Sequence, residues 1–263
     1  MKRPVRLLQL VHGYPPAVGG VENAIRDVCE GLAARGFEVT VLTTDAYNNA
    51  GFRDRDAPRI AEADAVRNGV RVLRFRGDVP LPGLLRVAQS AAWRLRLPGN
   101  DRLRTWFHGP ISPGMRRAAV ELDCDVIVAA SLPLNHLFYP FRRRPPRPVV
   151  LLGAVHPEDA WGYERPCLLE LAKRAFATVA LTEPEAGWLA ARGVASDRIE
   201  VIPIGIDPRP VTGTPGAFRQ ARGGPEEDLL VAYVGQQAEH KGLGDLLQVL
   251  PSLLGELTGA SRG

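Results

Sequence analysis

The chain opens with a strand–helix–strand pattern, which constrains its fold more than any other feature. Residues 5–11 form an apolar run short enough for a buried strand, and residues 13–20 form a loop rich in Gly and Pro. Apolar residues then recur at helical spacing over 21–34, Gly36 supplies a stop, and residues 37–42 are typical of a second strand. This order predicts a βαβ unit.

The same alternation continues along the chain and predicts an α/β fold. Further strands are predicted at residues 70–75, 126–130, 149–154, 178–181 and 199–202, and helices at 164–176 and 183–192. Residues 46–68 and 98–114 are polar or rich in Gly and Pro, so we predict loops there. The pattern favours a parallel sheet with helices on both faces and ligands at the carboxyl ends of the strands.

A composition break predicts two domains of unequal size. We expect residues 1–206 to form the first domain, 207–227 to be a linker without apolar periodicity, and 228–263 to begin a second domain. The second domain is predicted to hold one strand at 229–234 and one helix at 242–254. One such pair cannot bury its own apolar face, so it must pack on the first domain, be completed by another chain, or belong to a truncated product. We expect this domain to be incomplete.

Composition indicates a globular protein of a reducing compartment. No uncharged apolar stretch reaches the roughly 18 residues that a membrane span needs. The three cysteines are widely spaced with no C-x-x-C pair, which argues against disulfides or a zinc site and indicates a cytoplasmic protein.

Residues 86–148 hold eleven arginines and four acidic residues. This patch leaves open a peripheral contact with anionic lipid at the inner face of the membrane, a phosphorylated acceptor, or simply solvated arginines. It lacks the interleaved aromatics of a nucleic-acid site.

Several residues stand where a sheet of this kind binds ligands. Gly19 and Gly20 precede a helix, whose N-terminal N–H groups favour an anion such as a diphosphate, although glycines of a tight turn are an equal interpretation. His156 follows a strand and could hydrogen-bond a sugar hydroxyl or take up a proton, although a loop histidine without a functional role is an equal interpretation. His12 has a weaker claim. Lys241 precedes the second domain's helix, where it would add to the attraction for phosphate.

Two acidic candidates are discounted. Asp45 follows the second strand without a dinucleotide-binding glycine fingerprint, so we interpret it as a loop cap. Asp123 and Asp125 form a D-x-D pair, but a strand follows them directly. They therefore lie at the amino end of that strand, away from the ligand edge, and we expect no metal there.

Three segments together resemble the retaining glycosyltransferases of family 4, which have two facing Rossmann-like domains, the GT-B fold. They are residues 11–22 with Pro15, Pro16, Gly19, Gly20 and Glu22, residues 201–207, and residues 233–242. The resemblance covers nearly the whole chain. It implies an enzyme that moves a hexose from a nucleoside-diphosphate sugar to a glycan, lipid-linked or small-molecule acceptor, for example in polysaccharide biosynthesis.

The resemblance also implies residue roles. His156 and Lys241 would be catalytic, His156 at the donor sugar and Lys241 at the departing diphosphate. The donor phosphates would be held by Gly19, Gly20, Gly235, Gln236 and Lys241, and the acceptor side would include Tyr14 and Glu22. Such enzymes use the nucleotide sugar as substrate and need no metal or other cofactor for the chemistry.

Departures from the family pattern temper this hypothesis. Gln236 stands where many members have an arginine, Ile204 replaces a frequent asparagine, and the two glutamates that hold sugar and ribose do not occur within these residues. The chain as given is therefore expected to be weakly active or inactive. The alternatives are a non-catalytic remnant that binds an acceptor or a membrane, and a sugar-nucleotide epimerase of the same architecture.

Overall fold

The computed structural model describes residues 3–142, 146–205, 213–214, 216–223, 225, 230–235, 237 and 239–259. The chain divides into two compact units, Met1–Ile206 and Asp207–Gly263. The first unit contains the sheet. The described part of the second unit contains helical elements and no strand.

The sheet is mostly parallel, as predicted. The strands are β1 (Arg6–Leu10), β2 (Glu38–Thr44), β3 (Asp64–Arg67), β4 (Val70–Phe75), β5 (Val126–Ala130), β6 (Val149–Leu152), β7 (Ala177–Ala180) and β8 (Ile199–Val201). Their order in the sheet is β3-β4-β2-β1-β5-β6-β7-β8. Each described pair is parallel except β3, which lies antiparallel to β4 at one edge.

Helices of varied length make up the rest of the described regular structure. They are α1 (Gly20–Ala34), α2 (Pro82–Arg94), α3 (Asn100–His108), α4 (Pro113–Glu121), α5 (Ala160–Tyr163), α6 (Pro166–Arg174), α7 (Glu183–Ala191), α8 (Ala217–Arg222) and α9 (Leu243–Gly259). Helices α1 to α7 lie in the first unit, and α8 and α9 lie in the second. The 3-10 helices are Asn49–Phe52, Asn135–Phe138, Pro140–Arg142, Ser196–Arg198 and Glu239–Lys241.

Both faces of the sheet are buried, because successive side chains of a strand point to opposite sides. On one face, Leu7 of β1 belongs to a buried cluster with Ile25 of α1. On the other face, Leu8 belongs to a second cluster with Met115 of α4 and Leu171 of α6. The sheet is therefore a layer between helices, which confirms the predicted α/β architecture.

Three sequence predictions of local structure were wrong. Residues 46–68 contain β3, a polar edge strand, and residues 98–114 contain α3. The sequence hides α3 because its buried residues are Arg104 and Thr105, so it has no apolar period. The strand predicted at 229–234 does not form in its described residues, 230–234, where the second unit offers no described strand to pair with.

The segment predicted as a linker, 207–227, includes a short helix. This helix, α8, buries none of its residues, which explains why its sequence shows no apolar period. Among the described helices, none combines the length and the apolar composition that crossing a bilayer requires.

Candidate active site

The strand order reverses beside the central strand β1, where open α/β sheets are expected to form a ligand crevice. From β1 the chain builds β2 and β4 on one side, and it builds β5 to β8 on the other side. At such a reversal the loops after the two adjacent strands separate, and open α/β sheets bind ligands there. His12 lies just beyond β1, and Ser131 directly follows β5. The crevice is thus flanked by a histidine and a serine.

A chain of side-chain contacts links these two residues to the start of α1. The His12 Nδ1 atom lies 2.8 Å from the Ser131 Oγ atom, and His12 Nε2 lies 3.1 Å from Glu22 Oε1. All three side chains are buried. In the neutral tautomer that carries hydrogen on Nε2, His12 donates to Glu22 and accepts from the Ser131 hydroxyl. The contact with His12 holds the pKa of Glu22 below its usual range.

Ser131 has an unusual backbone conformation for a residue with a side chain. Its φ angle is +81°, in the region that glycine favours. A serine in this region costs on the order of 1 kcal/mol or more in backbone strain. The surrounding structure holds the residue there, with its hydroxyl against His12.

The first of the two loop glycines makes room for the Glu22 side chain. A Cβ atom on Gly19 would lie 2.2 Å from Glu22 Oε2, and one on Gly13 would lie 2.9 Å from Glu22 Oε1. Gly19 is the N-cap of α1, and no described side chain caps that helix from the N-cap position. The Glu22 carboxylate therefore lies at the positive end of α1, where it complements the helix dipole and would compete with an incoming anion.

The second glycine faces open space. Gly20 is exposed, and a Cβ atom there would meet no atom within 4 Å. Any ligand that approaches the start of α1 therefore reaches the Gly20 side of the turn rather than the Gly19 side.

Tyr14, predicted on the acceptor side, lies in the core instead. Its side chain is 1% exposed and belongs to the same cluster as Ile25 of α1. Burial raises the pKa of its phenol above the usual range. In this position the side chain offers almost no surface to an acceptor. Glu22 is likewise buried, and its described partner is His12.

His156 lies in the loop after β6 and is open to solvent. Its side chain is 65% exposed, and its ring centroid lies 5.5 Å from that of Tyr163 in an edge-on arrangement. The described carboxylate near it is Glu158, whose Oε1 atom lies 3.7 Å from His156 Nδ1. A ligand at the carboxyl edge can reach this ring without a change in the core.

The remaining predicted donor-site residues belong to the second unit. Lys241 ends the 3-10 helix Glu239–Lys241 just before α9, and its side chain is exposed. Gly235 packs near the Tyr233 hydroxyl, which would lie 3.1 Å from an added Cβ. Gln236 lies outside the described residues.

The discounted acidic residues have structural partners. The Asp45 Oδ1 atom accepts hydrogen bonds from Arg59 and from the Gly77 N–H, in keeping with a loop cap. Asp125 pairs with Arg3 and Arg6, and these hydrogen bonds hold its pKa well below the usual range. Among the residues that the structure describes, no group of three or more His, Cys, Asp and Glu side chains is arranged to hold a metal.

Comparison with known proteins decides the family. A model of Glycosyltransferase Family 4 matches residues 18–209, which is well over half of the chain. The chain belongs to glycosyltransferase family 4. A search of curated protein sequences found no significant match.

Solved structures share the fold of this family 4 chain at low sequence identity. Sucrose-phosphate synthase from Thermosynechococcus elongatus is 15% identical with a TM-score of 0.56, and the match covers 94% of this chain and 59% of that one. Anabaena HepE in complex with UDP and glucose is 17% identical with a TM-score of 0.47, over 83% of this chain and 50% of that one. The family 4 chain thus spans between half and three fifths of the length of these proteins.

Sequence reasoning missed Ser131 and a polar cluster in this family 4 chain. Ser131 carried no signal, since only the sheet order shows that β5 lies beside β1. The cluster joins α3 to the segment before α6: Arg165 Nη2 donates to His108 Nδ1 at 2.6 Å, and Arg165 Nη1 donates to Thr105. Such contacts span more than fifty residues of sequence and leave no local pattern.

Proposed function

We propose that the complete protein transfers a hexose from a nucleoside diphosphate to a hydroxyl acceptor with retention of configuration. What supports this most is the family 4 match, together with the reversal of strand order beside β1, the place where open α/β sheets bind ligands. HepE, which shares the fold class at low identity, is described in complex with UDP and glucose. A UDP-linked hexose is therefore the first donor to test.

The positions of the side chains are compatible with the roles that the family resemblance implies. His156 is exposed at the carboxyl edge and would contact the donor sugar. The exposed Gly20 turn would let a phosphate approach the start of α1, where the helix dipole favours negative charge. Lys241, exposed beside α9, would neutralise charge on the departing diphosphate. We further propose that fixed charge replaces a metal, so activity should persist in excess EDTA.

Replacement of Lys241 tests the donor side of the proposal. In a version with a complete donor domain, we expect Lys241→Ala to lower the transfer rate at least about tenfold, because removing one preorganised charge from a transition state has this effect or a larger one. Release of nucleoside diphosphate from a panel of sugar nucleotides is the measurement. Lys173→Ala is the matched control, since Lys173 pairs with Glu170 on the surface of the first unit.

Two results would contradict the proposal. Unchanged turnover in Lys241→Ala would remove this lysine from the mechanism. Conversion of the sugar nucleotide to an epimer in the absence of acceptor would show a different reaction on the same fold.

A further inference from the structure

A pocket of about 710 Å³ lies outside the crevice at β1 and β5. It is bordered by α3, α4, α6 and the 3-10 helices between β5 and β6, on the sheet face opposite α1. None of the residues proposed for the nucleotide-sugar site lines it. Where described, the connection from β5 to β6 contains two short 3-10 helices instead of an α-helix, so the groove between α4 and α6 is not filled.

The interior of the pocket is apolar. Its walls include Trp106 of α3, Leu171 of α6, and Phe138 at the end of the 3-10 helix Asn135–Phe138. Trp106 is 50% exposed, an unusual state for so large an aromatic side chain. The volume falls in the range of small-molecule sites, which are concave and mostly apolar with a few polar groups at fixed positions.

The rim of the pocket is positively charged. Four exposed arginines line it, namely Arg102, Arg116, Arg142 and Arg174. In the described part of the chain, none of the four lies within ion-pair distance of a carboxylate. Among the described lining residues, the acidic one is Glu170, which pairs with Lys173 at 2.9 Å. The guanidiniums therefore remain available to an anion.

Two further cations lie buried behind the wall formed by α3. Arg104 and Arg165 are 2% and 0% exposed. Their described hydrogen bonds run to backbone carbonyls, Thr105 and His108, and to no carboxylate. Burial lowers the pKa of Arg165 to about 10, so it stays charged at neutral pH. The nearby carboxylates of Asp101 and Asp159 act on both guanidiniums without a direct hydrogen bond to either, so the two arginines offset this negative charge at that side of the pocket.

We propose that this pocket binds an amphiphile with one apolar chain and one phosphate group, the chain against Trp106, Phe138 and Leu171 and the phosphate at the arginine rim. A phosphate monoester carries nearly two negative charges at pH 7, and guanidinium groups bind it through paired hydrogen bonds. A carboxylate carries half that charge and matches four guanidiniums less well. This site is independent of the proposed sugar transfer.

Calorimetric titration of the intact chain with octyl phosphate, below its micelle concentration, tests the proposal. We expect saturable one-to-one binding, at least about tenfold weaker in the variant Arg102→Gln/Arg116→Gln. The variant Arg55→Gln/Arg94→Gln removes the same charge from exposed arginines outside the pocket and should bind like the unmodified chain. Trp106→Ala should weaken octyl phosphate binding and leave the weak binding of inorganic phosphate unchanged.

Head-group and tail controls define the results that would overturn the proposal. Octyltrimethylammonium has the same chain with the opposite charge, so binding as tight as that of octyl phosphate would exclude the arginine rim as the determinant. Equal affinity for inorganic phosphate would exclude the apolar walls. Binding to phosphatidylglycerol vesicles without binding to octyl phosphate would assign these arginines to a membrane surface and not to a pocket ligand.

Discussion

We expect the free energy of unfolding to fall by about 4 kcal/mol between pH 7 and pH 5. Two histidines, the half-buried His108 and the fully buried His136, each have a pKa lowered from 6.5 to about 3 in the folded protein. The unfolded chain binds their protons near pH 6.5, while the folded chain does so only near pH 3. Stability is therefore lost as the pH falls below 6.5, at about 1.4 kcal/mol per pH unit for each histidine.

The surroundings of each ring explain why protonation is unfavourable. His136 is fully buried, and its Nε2 atom lies 2.8 Å from the Ala130 carbonyl oxygen. Its Nδ1 atom has no hydrogen-bond partner in the described part of the protein, so a proton there would be buried without an acceptor. His108 Nδ1 accepts a hydrogen bond from the Arg165 guanidinium, and a proton on that atom would face a positive charge. Desolvation is the largest cause for both rings.

Urea unfolding at pH 7, 6 and 5 measures this loss. The variant His108→Gln keeps an acceptor for Arg165 and should show about half the pH dependence of the unmodified chain. The measured pH range, 7 to 5, lies above the range where Glu22 and Asp125 take up protons, since the pKa values of both carboxyl groups are lowered. Equal stability at pH 7 and pH 5 would mean that neither ring is held neutral by the fold.

Replacement of Gly19 with alanine is expected to destabilise the protein by about 2 kcal/mol, the usual penalty for forcing an extra atom into a packed site. The new Cβ would lie 2.2 Å from Glu22 Oε2, so the carboxylate must move and lose its contact with His12. The effect is steric only, because Gly19 has an extended backbone that other residues can adopt. Sugar transfer in a complete version should fall as well, since the His12 ring loses its partner at the crevice.

A double-mutant cycle separates this clash from a general effect of alanine. In a Glu22→Ala background, Gly19→Ala should change stability by only a few tenths of a kcal/mol, because the obstacle is gone. Gly20→Ala is the matched control on the unmodified chain. The added Cβ meets no atom there and alanine favours the helix that begins at this residue, so stability should stay the same or rise slightly. Destabilisation by Gly19→Ala of the same size in both backgrounds would contradict the geometry.

The sequence revealed those elements whose burial follows a regular period. Strands β4 and β5 and helix α1 were predicted almost to the residue, because apolar residues alternate or recur on the face that packs. Helix α3 was missed because it buries Arg104 and Thr105, whose partners come from a distant segment. The second unit's strand was predicted from an apolar run alone, but a strand also requires a neighbour to pair with.

The candidate site was less accessible from sequence than the fold. His156 was chosen as a candidate because it follows a predicted strand, and Gly19 and Gly20 because they precede a predicted helix. Both signals are local in the sequence. The contacts among Glu22, His12 and Ser131 depend on which strands become neighbours, and this order is set by long-range packing. Tyr14 was predicted to face a ligand but is buried, because a tyrosine in a loop gives no local sign in the sequence that tertiary packing will bury it.

The two edge strands of the sheet, β3 and β8, differ in how well they resist pairing with another chain. At the outer strand β3, Asp64 pairs with Arg71 of β4 and Arg67 pairs with nearby Glu62, so another chain that added there would have to desolvate charge. At β8, the last strand is three residues long and leads to Ile202 and Ile204, each 54% exposed. Aggregation of the first unit, when it occurs in concentrated solution, should therefore start from β8.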